Sequence, residues 1–210
     1  MPLPRPDRRA DLLAAAATCF ARRGVAATAV DDLVRVAGVT PVILYRHFGS
    51  KNGLVHALVE AWAQERLAHG AQALDRAHAG DALDAMLDLL IDARPIAWPR
   101  LRDEARLTLA IIDAAARDRA LATRVRMADA ALLDQLTRAI ARAQGEGVLD
   151  RSLDAAATAE LLTALGDGLL VRAALSRRTD APTIATLQQA FRALADRALG
   201  RLRAPDATLP

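Results

Sequence analysis

Aromatic residues make up only 3% of the 210-residue chain, Cys19 is its one cysteine, and Lys51 is its only lysine. Each scarcity excludes something. One cysteine cannot close an intrachain disulfide, which argues against a small secreted scaffold stapled by cystines and fits a reducing cytoplasm. Val, Ile, Thr and aromatic residues are too sparse to build many strands, so all-β and doubly wound α/β folds give way to an all-α expectation. No run approaches the roughly 20 apolar residues that a membrane helix needs. The stretch Leu12 to Ala21 behind Arg5, Arg8 and Arg9 imitates a signal peptide, yet Asp7 and Asp11 interrupt its cationic segment and Arg22-Arg23 follow at once. What remains is 53% hydrophobic and 25% charged residues, a composition that folds, in a length that allows one large domain or a small one joined to a larger.

The net charge of +3 is unevenly placed. Residues 1–53 hold eight Lys/Arg against four Asp/Glu, and the rest hold 20 against 21. The first quarter therefore carries the cationic excess, which permits a nucleic-acid partner without requiring one. The arginine and alanine load fits a GC-rich genome and blunts the meaning of any single arginine.

The organisation of that first quarter is more specific. Leu12, Leu13, Ala16 and Phe20 recur at helical steps and Gly24 supplies a stop. Cys19 falls within this helix, where a small buried hydrophobe is the simpler reading than a reactive thiol. In TAVDDLVRVAG, Thr28 can cap, Asp31 and Asp32 suit the positive end of the helix dipole, and Val30, Leu33, Val34 and Ala37 share a face. Gly38 interrupts; then Thr40 can cap again and Pro41 takes the first helical position. Two short helices joined by a Gly-containing turn are the sequence form of a helix-turn-helix.

Reading the second short helix at about 100° per residue, with Leu44 inward, brings Phe48 beside it and points Val42 and Arg46 away, flanked by Ile43 and Tyr45. Either Val42 and Ile43 are buried under the following segment, or the face enters a DNA major groove. In a groove, apolar side chains meet thymine methyls and Arg46 donates to guanine O6 and N7. Ser50 can cap the next helix. Lys51 in its first turn opposes the dipole, which makes sense if that terminus holds a phosphate.

The segment GVTPVILYRHFGSKNGL (Gly38 to Leu54), with TAVDDLVRVAG and the preceding FARRG, resembles the N-terminal domain of the TetR family of transcriptional regulators over roughly residues 8–56. The resemblance implies phosphate contacts from Thr28, Tyr45, His47 and Lys51, and base or groove contacts from Thr40, Pro41, Val42 and Arg46. Ala29, Val34, Ile43 and Asn52-Gly53 depart from the family pattern, which bears on operator identity. Gly53 alone should weaken its helical turn by up to about 1 kcal/mol relative to Ala.

From Leu54 the chain reads as further helices: to about His78, Asp81 to Ala93, Arg100 to Ala116, Arg119 to Gln144, Asp154 to Ser176 and Thr183 to Leu199. Leu161, Leu162, Leu165 and Leu169 make a stripe in one, and Ile184, Leu187, Phe191, Leu194 and Ala198 in the last. Gly166 and Gly168 inside a helix imply close backbone approach, either within the core or across the homodimer that the resemblance implies. His56, His69 and His78 lack i, i+4 pairing, and no GxSxG, P-loop or HExxH occurs, so no enzyme, metal site or cofactor is expected.

The reading is an all-α protein. Residues 1–53 form a three-helix DNA-binding domain with a flexible N-terminal arm, 54–200 a helical bundle for effector binding and dimerisation, and 201–210 a flexible tail. Its function would be a ligand-responsive, sequence-specific regulator, most simply a repressor released from a pseudo-palindromic operator by a small apolar effector. Trp62, Met86, Trp98, Ile111 and Leu165 are the candidate effector lining, each with plain core as its competing role. The alternative is a non-specific DNA-coating or architectural protein.

Overall fold

The structure, a computed structural model, describes residues 7–76, 98–147 and 149–175, with 189, 190 and 193 in helical conformation. Among the described residues every regular element is an α-helix: α1 Arg8–Arg23, α2 Val30–Ala37, α3 Pro41–Phe48, α4 Lys51–Arg76, α5 Trp98–Ala115, α6 Arg119–Gly145 and α7 Ala155–Leu175. The expected segments Asp81 to Ala93 and Thr183 to Leu199 fall largely or wholly outside the described residues. By packing the chain divides into two compact units, Met1–Glu65 with Pro99–Ala128, and Arg66–Trp98 with Asp129–Pro210.

In the first unit, α1 starts where Asp7 accepts hydrogen bonds from the backbone N–H groups of Arg9 (3.0 Å) and Ala10 (3.2 Å). A side-chain acceptor there satisfies donors that have no partner inside the helix. The helix buries Leu12, Ala15, Ala16, Cys19 and Phe20 on one face. Burial pushes the Cys19 thiol above its ordinary pKa, and nearby Asp32 adds to the effect. A neutral, buried thiol of this kind is packing material.

The turn into α2 corrects one expectation. Ala29, not Thr28, occupies the cap position and offers no side-chain acceptor, while Asp32 reaches back to take a hydrogen bond from the Ala29 N–H at 3.3 Å. Asp32 also ties the two helices together, pairing with Arg23 of α1 at 3.1 Å and with Arg35 on its own helix. The carboxyl is held below the usual carboxylate range, first by the Ala29 N–H and then by the two guanidinium groups. Gly38 ends α2 at φ 64°, in the left-handed region, and lets the Val39 N–H reach back to the Val34 carbonyl at 3.0 Å. Residues with a Cβ resist that conformation, so a glycine is what allows α3 to begin three residues later.

The core of this unit runs well past the helix-turn-helix. Leu12, Phe20, Leu33, Leu44 and Leu54 pack in one cluster with Ile111 of α5 and Leu121 of α6. Fully burying a Leu or Phe side chain is worth roughly 1.5–3 kcal/mol, so the three short helices owe much of their fixed geometry to residues more than fifty positions away. Two polar ties reinforce this contact, His56 with Asp118 and Glu60 with Arg124.

The second unit contains the later part of α6 and all of α7. Leu132, Leu136, Ile140 and Ala143 are buried along α6, and Ala159 and Leu162 along α7. The corner between the helices is tightly bonded. Gln144 Nε2 donates to the carbonyl oxygens of Asp150 (2.8 Å) and Leu153 (2.7 Å), and Arg151 donates back to those of Gln144 and Gly145. Asp154 then caps α7 by accepting from the Ala157 N–H at 2.7 Å.

Candidate nucleic-acid interface

The surface of α3 sorts its eight residues as the helical angle requires. Leu44 is 0% exposed and anchors the helix, whereas Val42 is 72% and Tyr45 50% exposed. Thr40, Pro41, Arg46 and His47 are exposed as well. The alternative in which Val42 is covered does not hold, although Ile43 is half-buried and packs against the core. Ile43 therefore leaves the outward face, and Val42, Tyr45 and Arg46 constitute it.

Local bonding fixes where this face ends. The Gly49 N–H closes α3 on the Tyr45 carbonyl at 2.8 Å. Ser50 then caps α4 as expected, its Oγ accepting from the Gly53 N–H at 2.9 Å. Gly53 has a role that helix propensity alone does not reveal. A Cβ added there would overlap the carbonyl oxygen of Phe48, so the last turn of α3 and the first turn of α4 meet through a glycine. That contact sets the position of half-buried Lys51 relative to His47.

Thr28 stands apart from the other proposed contacts. It is buried, and its hydroxyl donates to the Gly24 carbonyl at 2.7 Å, so the side chain braces the turn between α1 and α2. Thr40 occupies the cap position of α3 without a side-chain cap bond, which leaves its exposed hydroxyl available.

Among the described residues no carboxylate pairs with Arg46 or Lys51, and several acidic groups of this unit are engaged elsewhere, Asp32 with Arg23, Asp113 with Arg117 and Asp118 with His56. The edge formed by α3 and the start of α4 is thus a cationic surface with an apolar centre at Val42, the combination that suits a major groove flanked by phosphates. One further cation reaches it. The Arg9 guanidinium lies 5.6 Å from the centroid of the Phe48 ring. Its sequence signal was an arginine in the first turn of a helix, the same anomaly that Lys51 presents.

The candidate effector residues separate. Trp62 and Ile111 pack in the core cluster of the first unit, and Leu165 is 46% exposed on α7 of the second. Met86 and the Trp98 side chain lie outside the described residues. The expected leucine stripe of α7 also divides: Leu162 is buried and Leu169 half-buried, whereas Leu161 and Leu165 are exposed, as are Val171 and Leu175 further along. Gly168 lies on the exposed side, where an added Cβ would meet nothing within 4 Å among the described residues, while Gly166 is buried.

Comparison with known proteins agrees with this geometry. Residues 12–58 match the family of bacterial regulatory proteins described as the tetR family, and residues 79–204 match the C-terminal domain of BetI-type transcriptional repressors. The HTH-type transcriptional regulator TtgR of Pseudomonas putida is 38% identical over 85 residues, 40% of either chain. The HTH-type transcriptional repressor KstR2 of Rhodococcus jostii is 39% identical over 61 residues, 29% of this chain and 30% of that one. The matched part thus spans well under half the length of these curated relatives. A solved TetR-family transcriptional regulator from Rhodococcus sp. superposes with a TM-score of 0.72 at 28% identity, over 90% of this chain and 98% of that one. The reading as a non-specific DNA-coating protein gains no support from these relatives. With its N-terminal helix-turn-helix and a C-terminal segment of BetI type, the chain belongs to the TetR family of bacterial regulatory proteins.

Proposed function

We propose that the protein is a homodimeric, sequence-specific DNA-binding transcriptional regulator, acting as a repressor that a small apolar effector releases from a pseudo-palindromic operator. In this reading residues 1–53 read DNA and residues 54–200 serve effector binding and dimerisation. The observation that carries it is the outward face of α3, with Val42 and Tyr45 open above a buried Leu44. Val42, Arg46, Thr40 and Pro41 would make groove contacts, and Tyr45, His47 and Lys51 phosphate contacts, the two kinds dividing sequence reading from register.

The apolar side of α7, from Leu161 through Leu165 and Gly168 to Leu175, supports a dimer. Two recognition helices must meet half-sites about 34–36 Å apart, which a symmetric pair achieves. An effector that binds better to the form with misplaced recognition helices shifts the population off DNA by no more than that difference in affinity.

The test is a binding titration of the full chain against the DNA upstream of its own gene and against a scrambled duplex of the same composition. A specific regulator prefers the first by the roughly 10³–10⁷-fold typical of such proteins. Equal affinity for both would overturn the proposal.

A further inference from the structure

Arg8 and Arg9 sit in the first turn of α1, where the helix macrodipole favours anions over cations. The two are held differently. Arg8 has a carboxylate partner, Asp11, at 3.5 Å in an exposed pair. Arg9 is held instead by an aromatic ring, its guanidinium carbon 5.6 Å from the centroid of Phe48. A ring face attracts a cation through its quadrupole but carries no formal charge. The ring therefore aims Arg9 without neutralising it.

Phe48 is the last residue of α3, and its other aromatic neighbour is His47, with ring centroids 6.2 Å apart. Lys51 opens α4 three residues later. Arg9 and His47 thus reach one ring from two helices, Lys51 opens the next helix, and the Arg9 side chain is exposed.

We propose that Arg9 is a DNA-backbone contact, its guanidinium bound to a phosphate oxygen beside the groove that α3 enters. The phosphate track of His47 and Lys51 would then continue onto α1. The inference rests on the DNA-binding reading above. Arginine suits the task because its planar group stacks on an aromatic face while its edge donates two parallel hydrogen bonds to phosphate oxygens, whereas an ammonium acts only as a point charge.

The experiment measures binding of the full-length chain and its Arg9→Ala, Arg9→Lys and Arg8→Ala variants to the upstream duplex and to the scrambled duplex, across about 50 to 200 mM salt. Neutralising one phosphate contributes about 0.9 to the slope of log affinity against log salt. Arg9→Ala is expected to flatten that slope by this amount on both duplexes. Arg9→Lys keeps the charge and hence the slope, with weaker binding because the stack is lost, and Arg8→Ala leaves the slope as it was. Arg9→Gln removes the charge while retaining polar donors, and it decides the matter should Arg9→Ala melt early. A wild-type slope in both charge-removing variants overturns the inference, as does a loss confined to the upstream duplex, which would make Arg9 a base reader. Absence of any preference in the unaltered chain strikes the functional reading itself and is seen before a variant is made.

Discussion

His56 Nε2 of α4 lies 3.2 Å from Asp118 Oδ2, in the turn that opens α6. The same carboxylate accepts from the backbone N–H groups of Ala120 (2.8 Å) and Leu121 (3.1 Å), so one side chain both caps α6 and fastens it to the helix that follows α3. Together with the Glu60–Arg124 pair one turn further along α4, it fixes α4 to the start of α6.

The Asp118 carboxyl is held below its ordinary pKa, first by the Leu121 N–H, then by the Ala120 N–H and His56, against the opposing effect of burial. A depressed folded-state value means that the group stabilises the fold at pH above the unfolded carboxylate pKa, about 3.9, and that this stability vanishes as the pH falls through the lower folded value. Asp118→Asn should therefore melt below the wild type at pH 7, with the gap narrowing toward pH 3. Thermal melts at a series of pH values check this; a gap that is constant with pH contradicts it. His56→Ala should lower the melting temperature less, since the cap bonds survive.

The two proposed kinds of DNA contact are separable by substitution. Arg46→Ala removes a donor on the exposed face of α3 and should cost about 1–3 kcal/mol on the operator while relaxing the base preference at one position. Lys51→Ala should weaken all sequences alike and reduce the salt slope by about 1. Titrations of both variants against operator and single-base variants check the division. Uniform effects from both would show that Arg46 does not read sequence.

Much of the fold was legible in the sequence because apolar periodicity, caps and breakers coincided. Leu12, Ala16 and Phe20, then Leu33 and Val34, then Leu44 are all buried as the spacing requires. The departures share a cause. A helical wheel places Ile43 and Tyr45 symmetrically about Leu44, and only the tertiary neighbours decide that Ile43 packs inward while Tyr45 stays open. Thr28 has the chemistry of a cap, but its hydroxyl finds the Gly24 carbonyl first. The partners of His56 and Glu60 lie more than sixty residues away, and no local pattern points to them. Arg9 fell outside the motif that identified the other contacts, and its role depends on a ring nearly forty positions along.

Gly53 reverses an expectation drawn from propensity. In an open helical turn, replacing Gly by Ala stabilises by up to about 1 kcal/mol. Here the added methyl would collide with the Phe48 carbonyl oxygen, a backbone atom that cannot swing aside. Gly53→Ala should therefore destabilise, by the roughly 1–3 kcal/mol typical of overpacking, and weaken binding to operator and scrambled DNA together because the junction between α3 and α4 shifts. Denaturant melts and DNA titrations check this; a stabilised variant with normal binding would mean that the junction relaxes freely.

Gly168 supplies the complementary case. Among the described residues an added Cβ meets nothing within 4 Å, so they give no packing reason for a glycine in the middle of α7. Leu161 and Leu165 precede it on the exposed side of the helix and Leu175 follows. A small residue amid such a row lets a second helix approach closely, whereas in an isolated chain it only lowers helix stability, by about 1 kcal/mol. Gly168→Leu should then leave the secondary structure of each subunit intact, or firmer, while raising the dimer dissociation constant. Sedimentation measures the dimer directly. Binding should fall on a two-half-site operator and stay nearly unchanged on a single half-site, because each recognition helix is untouched and only the pairing is lost. A dimer of undiminished strength in Gly168→Leu would place the subunit contact on some other surface and leave the glycine without the function assigned to it.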